Sequence, residues 1–284
     1  MKTFTNLISV PELKSTMESG RCRIVDCRFN LMQPDYGRRE YFEAHIPGAT
    51  YAHLDDDLAG PIDPGSGRHP LPELENFVRA LGDWGIDNDT QVIAYDHANG
   101  SVAARLWWML RWLGHSKVAV LDGGISAWIA AGQRLEKEVP KISRVTFSPS
   151  PDESMIATTE EIVAAVARGE VINLVDARDA ARFSGETEPI DAVAGHIPGA
   201  MNLPFQSGVN FDGTWRSADD HRRAWANLLA DRPDKPVIAM CGSGVTACHL
   251  LISARLSGRP EPRLYVGSWS EWIRDARRPL ATGK

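Results

Sequence analysis

Short apolar runs alternate with helical segments along the whole chain, and the runs have the length of strands. Ile24-Val25 leads into Asp26, Val92-Ile93-Ala94-Tyr95 forms another run, Leu174-Val175 leads into Asp176, and Pro236-Val237-Ile238-Ala239-Met240 forms a fourth. Runs this short, bounded by turn residues, predict buried strands. By contrast, Val245 to Leu256 has the length and apolar richness of a helix and stops at Ser257-Gly258-Arg259-Pro260, a sequence that ends helices. Two helix starts are marked by a hydroxyl with a glutamate three residues later, in Ser9-Val10-Pro11-Glu12 and Thr158-Thr159-Glu160-Glu161, the spacing of a capping box. This alternation predicts α/β domains, each a mainly parallel sheet flanked by helices.

The pattern occurs twice. Ile24-Val25-Asp26-Cys27-Arg28 returns as Leu174-Val175-Asp176-Ala177-Arg178, and Ala44-His45-Ile46-Pro47-Gly48-Ala49 as Gly195-His196-Ile197-Pro198-Gly199-Ala200. Val92-Ile93-Ala94-Tyr95 returns as Val237-Ile238-Ala239-Met240, and Gly123-Gly124-Ile125-Ser126-Ala127-Trp128 as Gly267-Ser268-Trp269-Ser270-Glu271-Trp272. The pairs keep their order at offsets of 150, 151, 145 and 144 residues, a period too long for a solenoid. Two copies of one domain are expected: residues 1–138 and 155–284, joined by a linker over 139–154 that contains Ser148-Pro149-Ser150-Pro151. A chain of 284 residues accommodates two domains of ordinary size.

Composition narrows the function. Hydrophobic residues make up 43% and charged residues 24%, an ordinary globular profile. A net charge of −6 gives no electrostatic case for nucleic acid or an anionic membrane as partner. No stretch reaches the length of a transmembrane helix, and Met1-Lys2-Thr3-Phe4-Thr5-Asn6-Leu7 lacks the apolar core of a signal peptide, so a cytoplasmic location is expected. Four cysteines, Cys22, Cys27, Cys241 and Cys248, are too few and too scattered for a disulfide scaffold or a zinc site. Cys22 and Cys27 read as small buried apolar residues, and Cys248 as helix packing, with a role in resolving an oxidised Cys241 as the other reading.

Cys241 is different because of where it stands. It follows a strand and opens the small-residue turn Cys241-Gly242-Ser243-Gly244-Val245-Thr246, which leads into a helix. Backbone N–H groups of such a turn and a helix N-terminus both favour an anion, so the position suits a thiolate nucleophile. Gly242 and Gly244 are expected to let the backbone curl through positive φ. In the first copy Asp96 holds the position that Cys241 holds in the second, so only one copy is expected to be catalytic. Features retained in both copies, the Asp-x-Arg strands with Asp26 and Arg28 or Asp176 and Arg178 and the turn residues His45 and His196, are read as structural. Trp107, Trp108 and Trp112 read as packing residues, and Arg105 as a candidate to face a cleft.

Taken together, the two Asp-x-Arg strands, the two His-Ile-Pro-Gly-Ala turns, the cysteine in the second copy alone and the Gly267–Trp272 segment resemble the tandem-domain rhodanese family, which includes thiosulfate and 3-mercaptopyruvate sulfurtransferases. The resemblance implies an inactive first domain, an active second domain and a substrate cleft between them. It implies that Cys241 accepts sulfur from a small-molecule donor as a persulfide and passes it to a thiol, reduced thioredoxin or cyanide, with no metal or organic cofactor. Arg182, in Ala180-Ala181-Arg182-Phe183-Ser184-Gly185, matches the family arginine that binds the anionic end of the donor. The amides of Gly242, Ser243, Gly244, Val245 and Thr246 would surround the sulfur. The loop is similar to the mercaptopyruvate type, whereas the thiosulfate type carries basic residues directly after the cysteine. Mercaptopyruvate enzymes also carry a second arginine after the Glu-Pro step, where this chain has Ile190 after Glu188-Pro189.

His69, in Ser66-Gly67-Arg68-His69-Pro70, matches a family histidine that reaches the cleft, with Asp57 as its expected carboxylate partner in a Ser243–His69–Asp57 relay. Ser243 has two readings, as a proton relay or as a small turn residue. Thr246 likewise either directs its hydroxyl at the sulfur or caps the following helix. Related cysteine loops in dual-specificity phosphatases need an arginine six positions after the cysteine. Ala247 stands there, which excludes that chemistry. A persulfide carrier serving one protein acceptor remains the other functional class, since it needs the same cysteine.

Overall fold

The computed structural model describes residues 2–18, 20, 22–232 and 235–283. The chain divides into two units. The first comprises Met1–Gly60, Leu71–Asp152 and Val209–Trp215, and the second Pro61–Pro70, Glu153–Gly208 and Arg216–Lys284. These units cross the division expected from the sequence twice, since residues 61–70 pack with the second unit and 209–215 with the first. The change of unit at Asp152 and Glu153 falls inside the segment expected as linker. Most of that segment lies along the first unit. Val145 N–H donates to Gly82 O at 3.1 Å, Ser150 N–H to Leu113 O at 3.0 Å and Asp152 N–H to Trp112 O at 2.9 Å, and Phe147 is buried.

In the first unit, strands β1 (Leu7–Ile8), β2 (Cys22–Asp26), β3 (Ala49–Tyr51), β4 (Gln91–Tyr95) and β5 (Val118–Leu121) alternate with helices α1 (Val10–Glu18), α2 (Tyr36–Glu43), α3 (Leu74–Asp83), α4 (Ala103–Trp112) and α5 (Gly124–Ala130). The sheet runs β1-β5-β4-β2-β3, every pair parallel. Parallel neighbours need a crossover, and the helices provide it. Ile8, Leu13, Ile24, Ile46, Ile93, Tyr95 and Trp128 form its core.

The second unit repeats the plan. Strands β6 (Ile156–Ala157), β7 (Asn173–Asp176), β8 (Met201–Asn202), β9 (Val237–Met240) and β10 (Arg263–Tyr265) alternate with α6 (Thr159–Ala167), α7 (Ala180–Ser184), α8 (Ala218–Leu228), α9 (Ala247–Leu256) and α10 (Ser268–Trp272). Its sheet runs β6-β10-β9-β7-β8, again all parallel, over a core of Ile162, Leu174, Ile197, Met240, Tyr265, Trp269 and Trp272. The predicted helix starts hold. Ser9 N–H and Oγ donate to Glu12 at 3.0 and 2.8 Å, and Glu161 N–H donates to Thr158 Oγ1 at 3.2 Å.

The duplicated residues carry duplicated contacts, which explains their presence in both copies. Arg28 pairs with Asp26 at 2.6 Å and donates to Ala44 O at 2.7 Å, while Arg178 pairs with Asp176 at 2.7 Å and donates to Gly195 O at 2.7 Å. Both pairs are buried, so removing one partner would strand the other and cost about 3–5 kcal/mol. His45 stacks on Tyr41 and His196 on Phe183, and each ring bonds a backbone carbonyl of the preceding helix, Tyr41 O or Phe183 O. These histidines shape turns. Trp107 and Trp108 are fully buried, with Trp107 donating to Thr5 O. Arg105 is fully buried in the first unit, where its Nε donates to Leu58 O at 3.4 Å, so it packs beneath the surface of that unit.

Candidate active site

Cys241 directly follows the central strand β9, whose last residue Met240 pairs with Asp176 of β7. The nucleophile candidate therefore stands at the carboxyl end of a parallel sheet, where strand-to-helix turns expose backbone N–H groups. The chain then turns through Gly242 to Thr246 into α9. A second segment clamps this turn from behind. Trp269 N–H donates to Cys241 O at 3.0 Å and Ser270 N–H to Gly242 O at 2.8 Å. Cys241 N–H donates to Ser268 Oγ at 3.1 Å, and Ser268 Oγ donates in turn to Tyr265 O at 2.8 Å. Ser268 holds φ +54°, the sole non-glycine at positive φ among the described residues. A left-handed serine is strained, and strain of this kind is retained where the surroundings dictate it.

The two glycines of the turn do different jobs. Gly244 takes φ +74° as expected, and a Cβ there would fall 2.3 Å from Val266 O. Gly242 does not lie at positive φ, which corrects the expectation for that residue. A Cβ there would meet Arg68 Nη2 at 3.1 Å and Arg182 Nη2 at 3.5 Å, a close approach that a small shift of the Arg68 side chain would relieve. Thr246 occupies the N-cap position of α9 without a side-chain capping bond. Cys248 donates its thiol proton to Gly244 O at 3.4 Å and packs in the buried face of α9.

Residues 61–70 bring the first copy's contribution into this unit. Arg68 N–H donates to Ser270 Oγ at 2.9 Å and Arg274 Nε to Ser66 O at 3.1 Å. At Gly67 a Cβ would fall 2.5 Å from Gly267 O, so only glycine lets the strand of chain approach so closely. The result is that His69 Nδ1 lies 2.7 Å from Ser243 Oγ, with both side chains buried. Asp57 belongs to the first unit, where its carboxylate accepts from His53 N–H at 2.7 Å. Burial and the neighbouring Asp56 push its carboxyl above the usual range against the His53 bond.

Arg182, on α7, sits in a cluster of opposite charges. Its Nη2 lies 2.8 Å from Glu188 and 3.0 Å from Asp191. Burial raises Glu188, yet the bonds from Arg182 and from Asp191 and Ile190 N–H outweigh it and hold the carboxyl below the usual range. Asp191 also binds Arg68, a residue that sequence reasoning passed over. Ile190 is exposed and offers no charge. Burial raises the thiol of Cys22, and burial with the charges of Asp26, Asp96 and Asp57 raises Cys27 well above its ordinary value, which disfavours a thiolate at either position.

In the first unit, the corresponding turn is filled by its own side chain. Asp96 Oδ1 accepts from Ala98 N–H at 3.2 Å and Gly100 N–H at 3.0 Å, and Oδ2 from Val102 N–H at 2.9 Å and Ala103 N–H at 3.2 Å. Its clamp is the same, with Ile125 N–H on Asp96 O and Ser126 N–H on His97 O.

Comparison with known proteins agrees with this reading. Residues 9–131 and 158–275 match the family of the Rhodanese-like domain. The chain is 44% identical over 98% of each chain to a Pseudomonas aeruginosa protein named a probable 3-mercaptopyruvate sulfurtransferase. It is 33% identical to the thiosulfate sulfurtransferase of Gallus gallus, over 95% of this chain and 94% of that one. The structure of a 3-mercaptopyruvate sulfurtransferase from Leishmania major superimposes with a TM-score of 0.85 at 31% identity, covering 97% of this chain and 75% of that one. Among the described residues no helix is long and apolar enough to cross a membrane. Two repeated parallel sheets, one cysteine turn and relatives that match both copies lead to one conclusion: the chain belongs to the rhodanese family and is a sulfurtransferase.

Proposed function

We propose that the protein moves the sulfur of 3-mercaptopyruvate to a small thiol, reduced thioredoxin or cyanide through a persulfide on Cys241. The observation that carries the donor is the charge around the turn. No basic residue follows Cys241 directly, and the two guanidiniums beside Gly242, those of Arg68 and Arg182, are matched by Glu188 and Asp191. A doubly charged donor gains from net positive charge, and a singly charged keto acid needs less of it.

The Cys241 thiolate attacks the donor sulfur and forms the S–S bond. The carbon–sulfur bond breaks, its electron pair passes into the enolate of pyruvate, and a proton completes the ketone. Ser243 Oγ is suited to hydrogen-bond the developing enolate oxygen. It does so when His69 carries its proton on Nδ1 and donates to Oγ across their 2.7 Å contact, which leaves the hydroxyl proton for the substrate. Amides from Gly242 to Thr246 stabilise the thiolate and then the outer sulfur. Support for that cradle comes from Asp96, whose carboxylate draws four N–H groups in the matching turn. The acceptor then removes the outer sulfur and returns Cys241 as thiolate.

The test is kcat/KM for 3-mercaptopyruvate and for thiosulfate with one acceptor. A clear preference for mercaptopyruvate is expected. Preference for thiosulfate would reject the donor assignment, and fast discharge to one protein with slow turnover on both donors would favour a carrier.

A further inference from the structure

The segment 61–70 reaches the cysteine turn already shaped. Asp63 Oδ1 accepts from Gly65 N–H at 2.7 Å and from Ser66 N–H at 2.9 Å, which folds the tip of the segment on itself. Two side chains at the end of the chain's last helix then tie it down on either side of Gly67. Ser270 Oγ accepts from Arg68 N–H at 2.9 Å, and Arg274 Nε donates to Ser66 O at 3.1 Å. Ser270 and Arg274 stand four residues apart, one turn on, and so share a face. At the same time Ser270 N–H holds Gly242 O at 2.8 Å. One buried serine thus grips the cysteine turn with its backbone and the arriving segment with its side chain.

The first unit uses the matching positions differently. Ser126, the repeat partner of Ser270, sends its hydroxyl to its own turn and donates to His97 O at 2.8 Å. Ala130 stands where Arg274 stands in the second copy. The segment that crosses into the first unit, 209–215, is tied elsewhere, by Trp215 N–H on Asp122 Oδ1 at 2.8 Å. The seat for 61–70 therefore belongs to the second copy and is not a relic of the repeat.

We infer that Ser270, with Arg274, is a positioning residue that sets the 2.7 Å contact between His69 and Ser243. His69 follows directly on Arg68, and Pro70 after it disfavours the helical region for its backbone. Once Arg68 N–H is fixed, the imidazole has few directions left. This role rests on the mercaptopyruvate reading and deepens it, since there the His69 contact leaves the Ser243 proton for the enolate oxygen. Neither Ser270 nor Arg274 touches the donor on this account. They act through His69, and their loss should be felt in the step that needs Ser243 and not in the step that empties the persulfide.

The experiment has two readouts. One is the nitrogen NMR shift of His69 Nδ1 in histidine-labelled protein, assigned with His69→Gln. The other is kcat and KM for mercaptopyruvate, beside the discharge of a preformed Cys241 persulfide to a small thiol. Both are taken in wild type, Ser270→Ala, Arg274→Ala, Ser126→Ala, Ser243→Ala and the Ser243→Ala/Ser270→Ala double variant. Misplacing a catalytic group by about 1 Å costs on the order of a hundredfold, and with Arg274 still holding Ser66 the loss in Ser270→Ala should be about tenfold. It should fall on kcat, with KM and discharge close to unaltered. Arg274→Ala should lose roughly twofold to threefold. The His69 signal should move in both and stay in place in Ser126→Ala. Added to Ser243→Ala, the Ser270 change should cost nothing further. An unmoved His69 signal, additive losses in the double variant, or kcat and discharge impaired alike would overturn the proposal. If Ser270→Ala does not fold, Arg274→Ala, at an exposed position, decides by the same readouts. Wild-type preference for thiosulfate, or full kcat in Ser243→Ala, would instead defeat the donor or the enolate-oxygen reading, and the His69 signal alone then decides whether Ser270 places that ring.

Discussion

In the first unit the turn after β4 closes on its own carboxylate, with Asp96 drawing in the N–H groups of Ala98, Gly100, Val102 and Ala103. In the second unit the turn after β9 has the same frame. It shows a left-handed glycine, Gly244 at φ +74° against Gly100 at +75°, and two N–H clamps from the first turn of the unit's last helix. The turns differ in the side chain that opens them and in one residue of length, among other substitutions, since seven residues lead from Asp96 to the first residue of α4 and six from Cys241 to that of α9. The same scaffold thus serves a fixed anion in one copy and, on our reading, a transient one in the other. An anion that is always present stabilises its unit. An anion that comes and goes leaves the turn available for chemistry.

The sharpest way to break this contrast is Cys241→Ser. It should abolish persulfide formation, seen by mass spectrometry after donor treatment, while the fold remains; retained transfer would refute the assignment of the nucleophile. Asp96→Ala should do the reverse. Four buried or half-buried N–H groups lose their acceptor, and about 2–4 kcal/mol of stability should go with them, measured by denaturant unfolding. Donor turnover should survive, and a loss like that of Cys241→Ser would mean that the first turn is catalytic.

A smaller effect is expected at the paired left-handed positions, Gly124 at φ +56° and Ser268 at φ +54°. Gly124→Ala puts a Cβ 2.6 Å from Asp96 O and should cost about 2 kcal/mol or more. Ser268→Gly removes backbone strain while depriving Cys241 N–H of its acceptor. Stability should change by under about 1 kcal/mol and kcat/KM should drop roughly threefold to tenfold. Equal stability losses at the two positions would show that Ser268 has no special part at the nucleophile.

Much of this was legible in the chain because it is local. Cys241 is marked by the strand before it and the small residues after it, and the pairing with Asp96 follows from the repeat. Gly242 was legible as part of the turn, but its surroundings were hidden, since what it approaches is two arginine side chains from distant segments. Arg68 was missed for the same cause. Beside a histidine in an irregular segment nothing local marks it, and only folding brings it to Asp191. A signal was available for Ser268, whose partner in the repeat is Gly124: a glycine and a serine at one backbone position ask why the serine tolerates it.

The departure of residues 61–70 from their own copy has a consequence for how such a duplication can be taken apart. A fragment cut at the linker, carrying residues 155–284, would keep the thiol and Arg182 and lose both Arg68 and His69. On our reading of the Ser243–His69 contact, the copy without a nucleophile supplies part of the site of the copy that has one, and the isolated fragment should lose donor turnover. Two segments cross, 61–70 in one direction and 209–215 in the other, so a cut at the linker divides neither unit cleanly from its counterpart.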